Sequence, residues 1–250
     1  MNPCSLIARK EAGELLVSTR GLAWLTIMAL ALSVFGLLLI GSTELSLLDN
    51  AQVVYDMVGI ITALGSLLAL VVGIDGVAGE SERGSLVPLL LTPASRSGIL
   101  MGKIGGIAIA WVIMYALALP YLWAVGSTGQ NLADGMATLA LLGTPVVLGF
   151  GLFGMTLGTR FSSSRTGLLI GLITLIVAAS PLLIGPSLRQ STVGRLFDAV
   201  NPFSAAVNAY DAVIIDSQTI LSQSGHEAVA LVWLVLTLSF ARRGFRRIVR

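Results

Sequence analysis

Apolar positions fall into six runs, at roughly 22–41, 57–77, 104–125, 136–158, 166–185 and 228–241, and the segments between them hold nearly all of the charge. The first five are about 20 residues long, enough for a helix rising ~1.5 Å per residue to cross a hydrocarbon layer of roughly 30 Å. The sixth spans only if its helix begins near Leu221, which puts His226 and Glu227 close to the headgroups. The pattern predicts an all-α membrane protein with six transmembrane helices in a single domain, 1–250.

Within the runs, small residues recur four apart: Gly65, Ala69 and Gly73 in the second, Gly154 and Gly158 in the fourth, and Ser163, Gly167 and Gly171 entering the fifth. That spacing lines one helix face with small side chains, so a neighbouring backbone can come close. Packing inside one bundle and a dimer seam both use it. Pro120 and Pro145 are expected to bend or end helical segments.

Residues 186–227 are the long connection between the fifth and sixth runs. Leu196, Val200, Phe203, Val207, Tyr210 and Ile214 recur there at steps of four and three, an amphipathic stripe interrupted by Pro202. A short pair of re-entrant or interfacial helices at the outer membrane surface is predicted, with Tyr210 suited to the interface. Asp198, Asp211 and Asp216 make this segment acidic, and with Asn201 and Tyr210 they are the candidate face for an extracytoplasmic accessory protein; solvated surface charge is the alternative.

Composition removes the soluble alternatives. Hydrophobic residues make up 55% and charged residues 11% of the chain, with a mean hydropathy of +0.91, whereas soluble domains carry about a quarter charged residues. A net charge of +2 gives no basis for nucleic-acid binding. The single cysteine, Cys4, forms no internal disulfide. Basic residues collect on one side of the predicted topology: Arg9, Lys10 and Arg20 before the first run, Arg83, Arg96 and Lys103 in the second connection, Arg160 and Arg165 in the fourth, and five arginines in the tail. The other side has Arg189 and Arg195. By the positive-inside rule both termini are cytoplasmic, in a bacterial or archaeal inner membrane, with the first run an uncleaved signal anchor.

Several chemistries lack their residues. The middle of each run holds no ionisable group, which disfavours a proton- or sodium-coupled carrier. His226 is the sole histidine, too few for a haem or zinc site. An intramembrane hydrolase would have to draw on Glu80, Glu82, Arg83 and His226, and topology sets His226 on the opposite side from the others. The stretch from Ser97 to Ile104 resembles a phosphate loop around Gly102 and Lys103, but Ser97 replaces its first glycine and Ile104 its final Ser or Thr. No nucleotide site is expected in this chain, so ATP-driven work would need a partner.

One polar stretch stands out, residues 79–103. Gly79 and Gly84 bracket a charged turn of Glu80, Ser81, Glu82 and Arg83, and Ser85 is placed to cap a short helix bearing Leu86, Leu89 and Leu90 that Pro93 ends. Arg96 and Lys103 follow before the next run. An ordinary cytoplasmic loop with its leucines in the membrane surface would show the same pattern.

The stretch resembles the matching segment of type-2 ABC exporter permeases, through Glu80, Glu82, Arg83, Gly84, Leu86, Leu89 to Leu91, Pro93, Arg96, Gly102 and Lys103. Ser85 stands where that family usually has threonine. Ala8-Arg9-Lys10-Glu11 and Asn201-Pro202-Phe203 extend the likeness, which is greatest to permeases of nitrous oxide reductase and multicopper-enzyme maturation transporters. The resemblance implies a homodimer of six-span permeases, with two copies of a cytoplasmic ABC ATPase subunit holding ATP and Mg2+ and no cofactor in this chain. It also implies that residues 1–21 form a connecting helix and 78–103 a coupling loop, with Glu80, Glu82 and Arg83 in charged contact with the ATPase. Drug, lipid or peptide export and mechanical transmission to an outer partner all fit such a subunit.

Overall fold

The computed structural model describes residues 3–41, 50–85, 88, 95–127, 131–161, 163–182 and 192–247, and the regular structure among them is helical. Helix α1 (Pro3–Val17) leads into α2 (Thr19–Gly41), α3 (Asn50–Glu82), α4 (Arg96–Gly126), α5 (Leu132–Arg160), α6 (Ser164–Leu182), α7 (Thr192–Val200), α8 (Pro202–Tyr210, prolonged by a π turn over Asp211–Ile215) and α9 (Ser224–Arg247). Six of these, α2 to α6 and α9, are long and apolar enough to cross a membrane. The helices outrun the apolar runs: the second run, 57–77, is the middle of α3.

Helix α3 is the axis of the bundle. Its Val54, Met57, Ile61, Leu68, Leu70 and Ile74 are buried, packed among α4, α5, α6 and α8. The glycine rows explain how closely α5 approaches. A Cβ on Gly73 would collide with the Gly151 carbonyl oxygen, and one on Gly154 with that of Leu70. Gly167 and Gly171 of α6 face the Ile74 and Leu70 side chains, which a Cβ would meet at 3.3 and 3.0 Å. These rows are packing surfaces within one chain. Outward-facing Leu30 and Leu37 of α2, Ile173 and Ile176 of α6, and Val235 and Phe240 of α9 are exposed, as expected of helices that meet lipid tails.

The two prolines behave differently from a simple bend or stop. Pro120 lies inside an uninterrupted α4. Pro145 follows a π turn over Leu139–Gly143 in α5. A proline ring clashes with the carbonyl four residues back, here Leu141, and the wider π turn relieves that clash without ending the helix.

The connection between α6 and α9 goes deeper than its stripe implied. Leu196 and Val200 of α7 are 68% and 74% exposed, but Phe203, Val207, Tyr210 and Ile214 of α8 are buried. Tyr210 does not sit at an interface: its hydroxyl is 2.9 Å from the Thr62 hydroxyl, inside the core. Thr62 lies twelve residues into α3, about 18 Å from its start at 1.5 Å per residue. The reason is the other face of α8, where Ala205 and Ala209 are also apolar and small, so the helix is buried nearly all round. Asn201 is buried as well. Its side-chain oxygen accepts from Phe203 N at 3.0 Å, and its amide donates to the Ala178 carbonyl at 2.8 Å, tying α8 to the end of α6.

Candidate coupling junction

Charged segments of α1, α2, α3, α4 and α6 meet around the last turns of α3. Local sequence accounts for how α3 stops. Gly84 takes φ +68°, a left-handed conformation that suits glycine. Gly84 N then donates to the Ser81 carbonyl at 3.1 Å and Ser85 N to the Glu80 carbonyl at 2.9 Å, the paired bonds of a Schellman C-terminus. The expected charged turn is thus the last turn of α3. Ser85 completes this stop, and the short helix expected after it lies outside the described residues apart from position 88, which is helical; Ser95 is the N-cap of α4, its hydroxyl accepting from Gly98 N at 3.1 Å.

Helix α4 seats α1 through its glycines. A Cβ on Gly102 would lie 2.6 Å from Ile7 Cβ, and one on Gly106 would lie 2.6 Å from Glu11 Cβ. Between those glycines Lys103 points into the seam. Its ammonium donates to Glu80 Oε2 at 2.7 Å and to Glu11 Oε1 at 3.1 Å. The other Glu80 oxygen accepts from Lys10 Nζ at 2.5 Å, and Lys10 also lies 3.4 Å from Glu14. Lys103, Glu80 and Glu11 expose 2%, 3% and 8% of their side chains, so these charges are compensated inside the protein and not by water. Burial pushes the Glu11 carboxyl above its ordinary range despite the Lys103 charge and hydrogen bond. Burial would lower Lys10, but its hydrogen bond to Glu80 and the charges of Glu80, Glu14 and Glu11 outweigh this and hold it up.

A second set of ties reaches α2 and α6. Asp75 is shared by Arg20 at 3.4 Å and Arg83 at 3.3 Å. Glu82 accepts from Ser164 N at 2.7 Å and from Ser164 Oγ at 3.0 Å, so a residue of α3 supplies the acceptor at the start of α6. All but the Arg83–Asp75 pair, which stays within the end of α3, cross from one helix to another, and together they clamp the end of α3 to four neighbours.

The structure therefore divides the predicted site residues. Glu80 and Lys103 are turned inward and satisfied within the chain, which corrects their reading as contacts presented to a partner. Glu82 and Arg83 are exposed, though each also has an internal partner. Gly84 forms the stop. Leu86, Leu89, Leu90 and Pro93 lie outside the described residues, as does the Arg96 side chain. At the other end of the bundle, Asn201 and Tyr210 are buried and cannot form an outer face, while Asp211 and Asp216 are exposed and Asp198 accepts from Ser204 Oγ at 2.6 Å. Gly244 of α9 packs on Thr159 near the junction, so His226, eighteen residues earlier in the helix, lies about 27 Å along it. Glu80 and His226 do not come together. Lys10 and Glu11 belonged to the resembling amino-terminal segment, but their partners, 70 and 92 residues away, left no local signal.

Six helices able to span a membrane, with an amino-terminal helix clamped to their charged end, define a multi-pass membrane protein. The chain belongs to the ABC-2 family of transporter proteins, which it matches over residues 5–247. It is also 30% identical over 241 residues to the probable ABC transporter permease protein NosY of Stutzerimonas stutzeri, an alignment covering 94% of this chain and 78% of that protein. ABC-2 permeases work with a cytoplasmic ATPase subunit.

Proposed function

We propose that the junction is where force from the ATPase enters this permease. The observation that carries the proposal is the clamp on Glu80 and Glu82: the segment after Gly84 hangs from a helix end fixed to α1, α4 and α6 by charged groups. Motion imposed on residues 84–95 would reach those helices together. In this reading the basic end and both termini are cytoplasmic, residues 1–21 form the connecting helix and 78–103 the coupling loop. Two permease copies pair with two ATPase subunits, which hold ATP and Mg2+. In the same reading residues 186–227 lie on the outer side, and the work serves copper-enzyme maturation, with drug, lipid or peptide export as the alternative.

Co-purification of tagged permease with its ATPase tests the docking. Leu89→Asp and Leu90→Asp are expected to abolish association while leaving the unfolding midpoint of the permease unchanged. Association that survives both substitutions removes the coupling-loop assignment.

A further inference from the structure

Beside the junction, α1, α2, α3, α4 and α6 enclose a cavity of about 700 Å³, within the size range of small-molecule sites. Its lining changes character at one depth. Arg20 at the mouth is followed one turn inward by Trp24 on α2, Asp75 is preceded one turn inward by Val71 on α3, and Arg165 is followed one turn inward by Leu168 on α6. One helical turn is about 5.4 Å, so a charged rim gives way to an apolar floor within the length of a small headgroup.

The rim carries charges of both signs, and its arginines all lie on one side. On the α2, α3 and α6 side, Arg20, Arg83 and Arg165 face two carboxylates, Asp75 and Glu82. Asp75 is shared by two of these arginines, and Glu82, hydrogen-bonded by Ser164, also lies in the field of Arg165 and Arg20. Arg165 makes no ion pair among the described residues, and the Arg20 side chain is 76% exposed with one contact at 3.4 Å. The α1 side contributes Glu11 and Glu14. Glu11 is held by Lys103, whereas Glu14 is 45% exposed and shares a lysine whose shorter contact goes to Glu80.

We infer that this cavity binds a zwitterionic amphiphile of the phosphoethanolamine class, its phosphate at Arg20 and Arg165, its ammonium at Glu14 and its chain on the floor around Trp24. Planar guanidinium groups suit phosphate oxygens, and a carboxylate on the opposite wall suits the amine. The site rests on the membrane placement of these helices and not on ATPase docking.

Soluble dihexanoyl-phosphatidylethanolamine, titrated into the delipidated full-length chain in detergent, tests this by tryptophan emission, with Trp24→Phe isolating the signal of Trp24. A saturable change lost in Trp24→Phe is expected. Arg165→Gln should weaken binding at least tenfold for both this lipid and dihexanoyl-phosphatidylglycerol, which lacks the amine. Glu14→Gln should weaken binding of the first and not of the second. Both substituted side chains are exposed, and unchanged unfolding midpoints confirm intact variants. Free phosphoethanolamine should bind at least a hundredfold more weakly. Equal binding of the free headgroup, no saturable Trp24 signal, or affinities indifferent to both substitutions overturns the inference.

Discussion

The Lys103 ammonium and the Glu80 carboxylate meet at 2.7 Å with 2% and 3% of their side chains exposed. Such a pair tolerates removal of both partners far better than removal of one, because a lone buried charge loses its compensation. Lys103→Met leaves Glu80 and Glu11 without their shared cation and is expected to destabilise the chain by about 3–5 kcal/mol. Lys103→Met combined with Glu80→Gln should recover part of that loss in detergent unfolding. An unchanged midpoint for the single variant would show that the pair contributes nothing to the junction.

Glu11 makes part of this stability depend on pH. Its folded-state pKa is raised by burial, so between its ordinary and raised values the folded protein holds a proton that the unfolded chain has lost. Stability from this group is greatest below the ordinary glutamate pKa and falls as pH rises through the folded value. Glu11→Gln removes the effect, so the wild-type gain from neutral to mildly acidic pH should shrink in the variant. Lys10 acts in another window: its pKa is raised above 10.5, so its contribution is complete below that value and is lost as pH rises through the folded one. Unfolding midpoints across both ranges measure the two components.

Much of this architecture is legible in the chain because membrane spans and charge bias are local patterns. The six apolar runs predict the six spanning helices, and the glycine rows predict close helix contact without naming the partner helix. The junction is different. Glu80 looks like a solvent-facing member of a charged turn, since its neighbours Glu82 and Arg83 are charged. Only the fold brings Lys10 and Lys103 to it, from 70 residues before and 23 after. Tyr210 misleads for a related reason: the stripe gives the buried face of α8 correctly, but the alanines opposite, which allow the helix inside the bundle, carry little hydrophobic signal.

The crossing of α3 and α5 should respond sharply to side-chain size. Gly73→Val puts atoms where the Gly151 carbonyl stands, and overpacking of this kind costs about 1–3 kcal/mol or more. At Gly13 of α1 a Cβ meets nothing within 4 Å, and Gly13→Ala should stabilise by about 0.4–1 kcal/mol through the lower entropy of the unfolded chain. A matched loss at both positions would argue against backbone contact as the cause.

The buried hydroxyl pair gives a smaller effect. Thr62 Oγ1 lies 2.8 Å from the Val58 carbonyl and 2.9 Å from the Tyr210 hydroxyl. Tyr210→Phe keeps the ring packed and removes the inter-helix bond, for a loss of about 0.5–1.5 kcal/mol. Thr62→Val with Tyr210→Phe should cost less than the sum of the single changes, since both delete the same bond. Strict additivity in unfolding free energies would rule out that bond as a contributor.

If the ATPase docks on residues 84–95 as proposed, its docking and the transmission of its motion should be separable at Gly102. Gly102→Val crowds Ile7, whose Cβ is 2.6 Å from where the new Cβ would stand, and so pushes α1 off α4 without altering residues 84–95. Cys4, whose carbonyl oxygen is 3.1 Å from where the new Cβ would stand, lies in the displaced seam and is the only cysteine, so its maleimide labelling should accelerate severalfold. ATPase co-purification should persist because the docking segment is intact, while transport coupled to ATP hydrolysis in vesicles should fall. If labelling accelerates and coupling is retained, α1 is a passive collar and force reaches the spans through α3 alone.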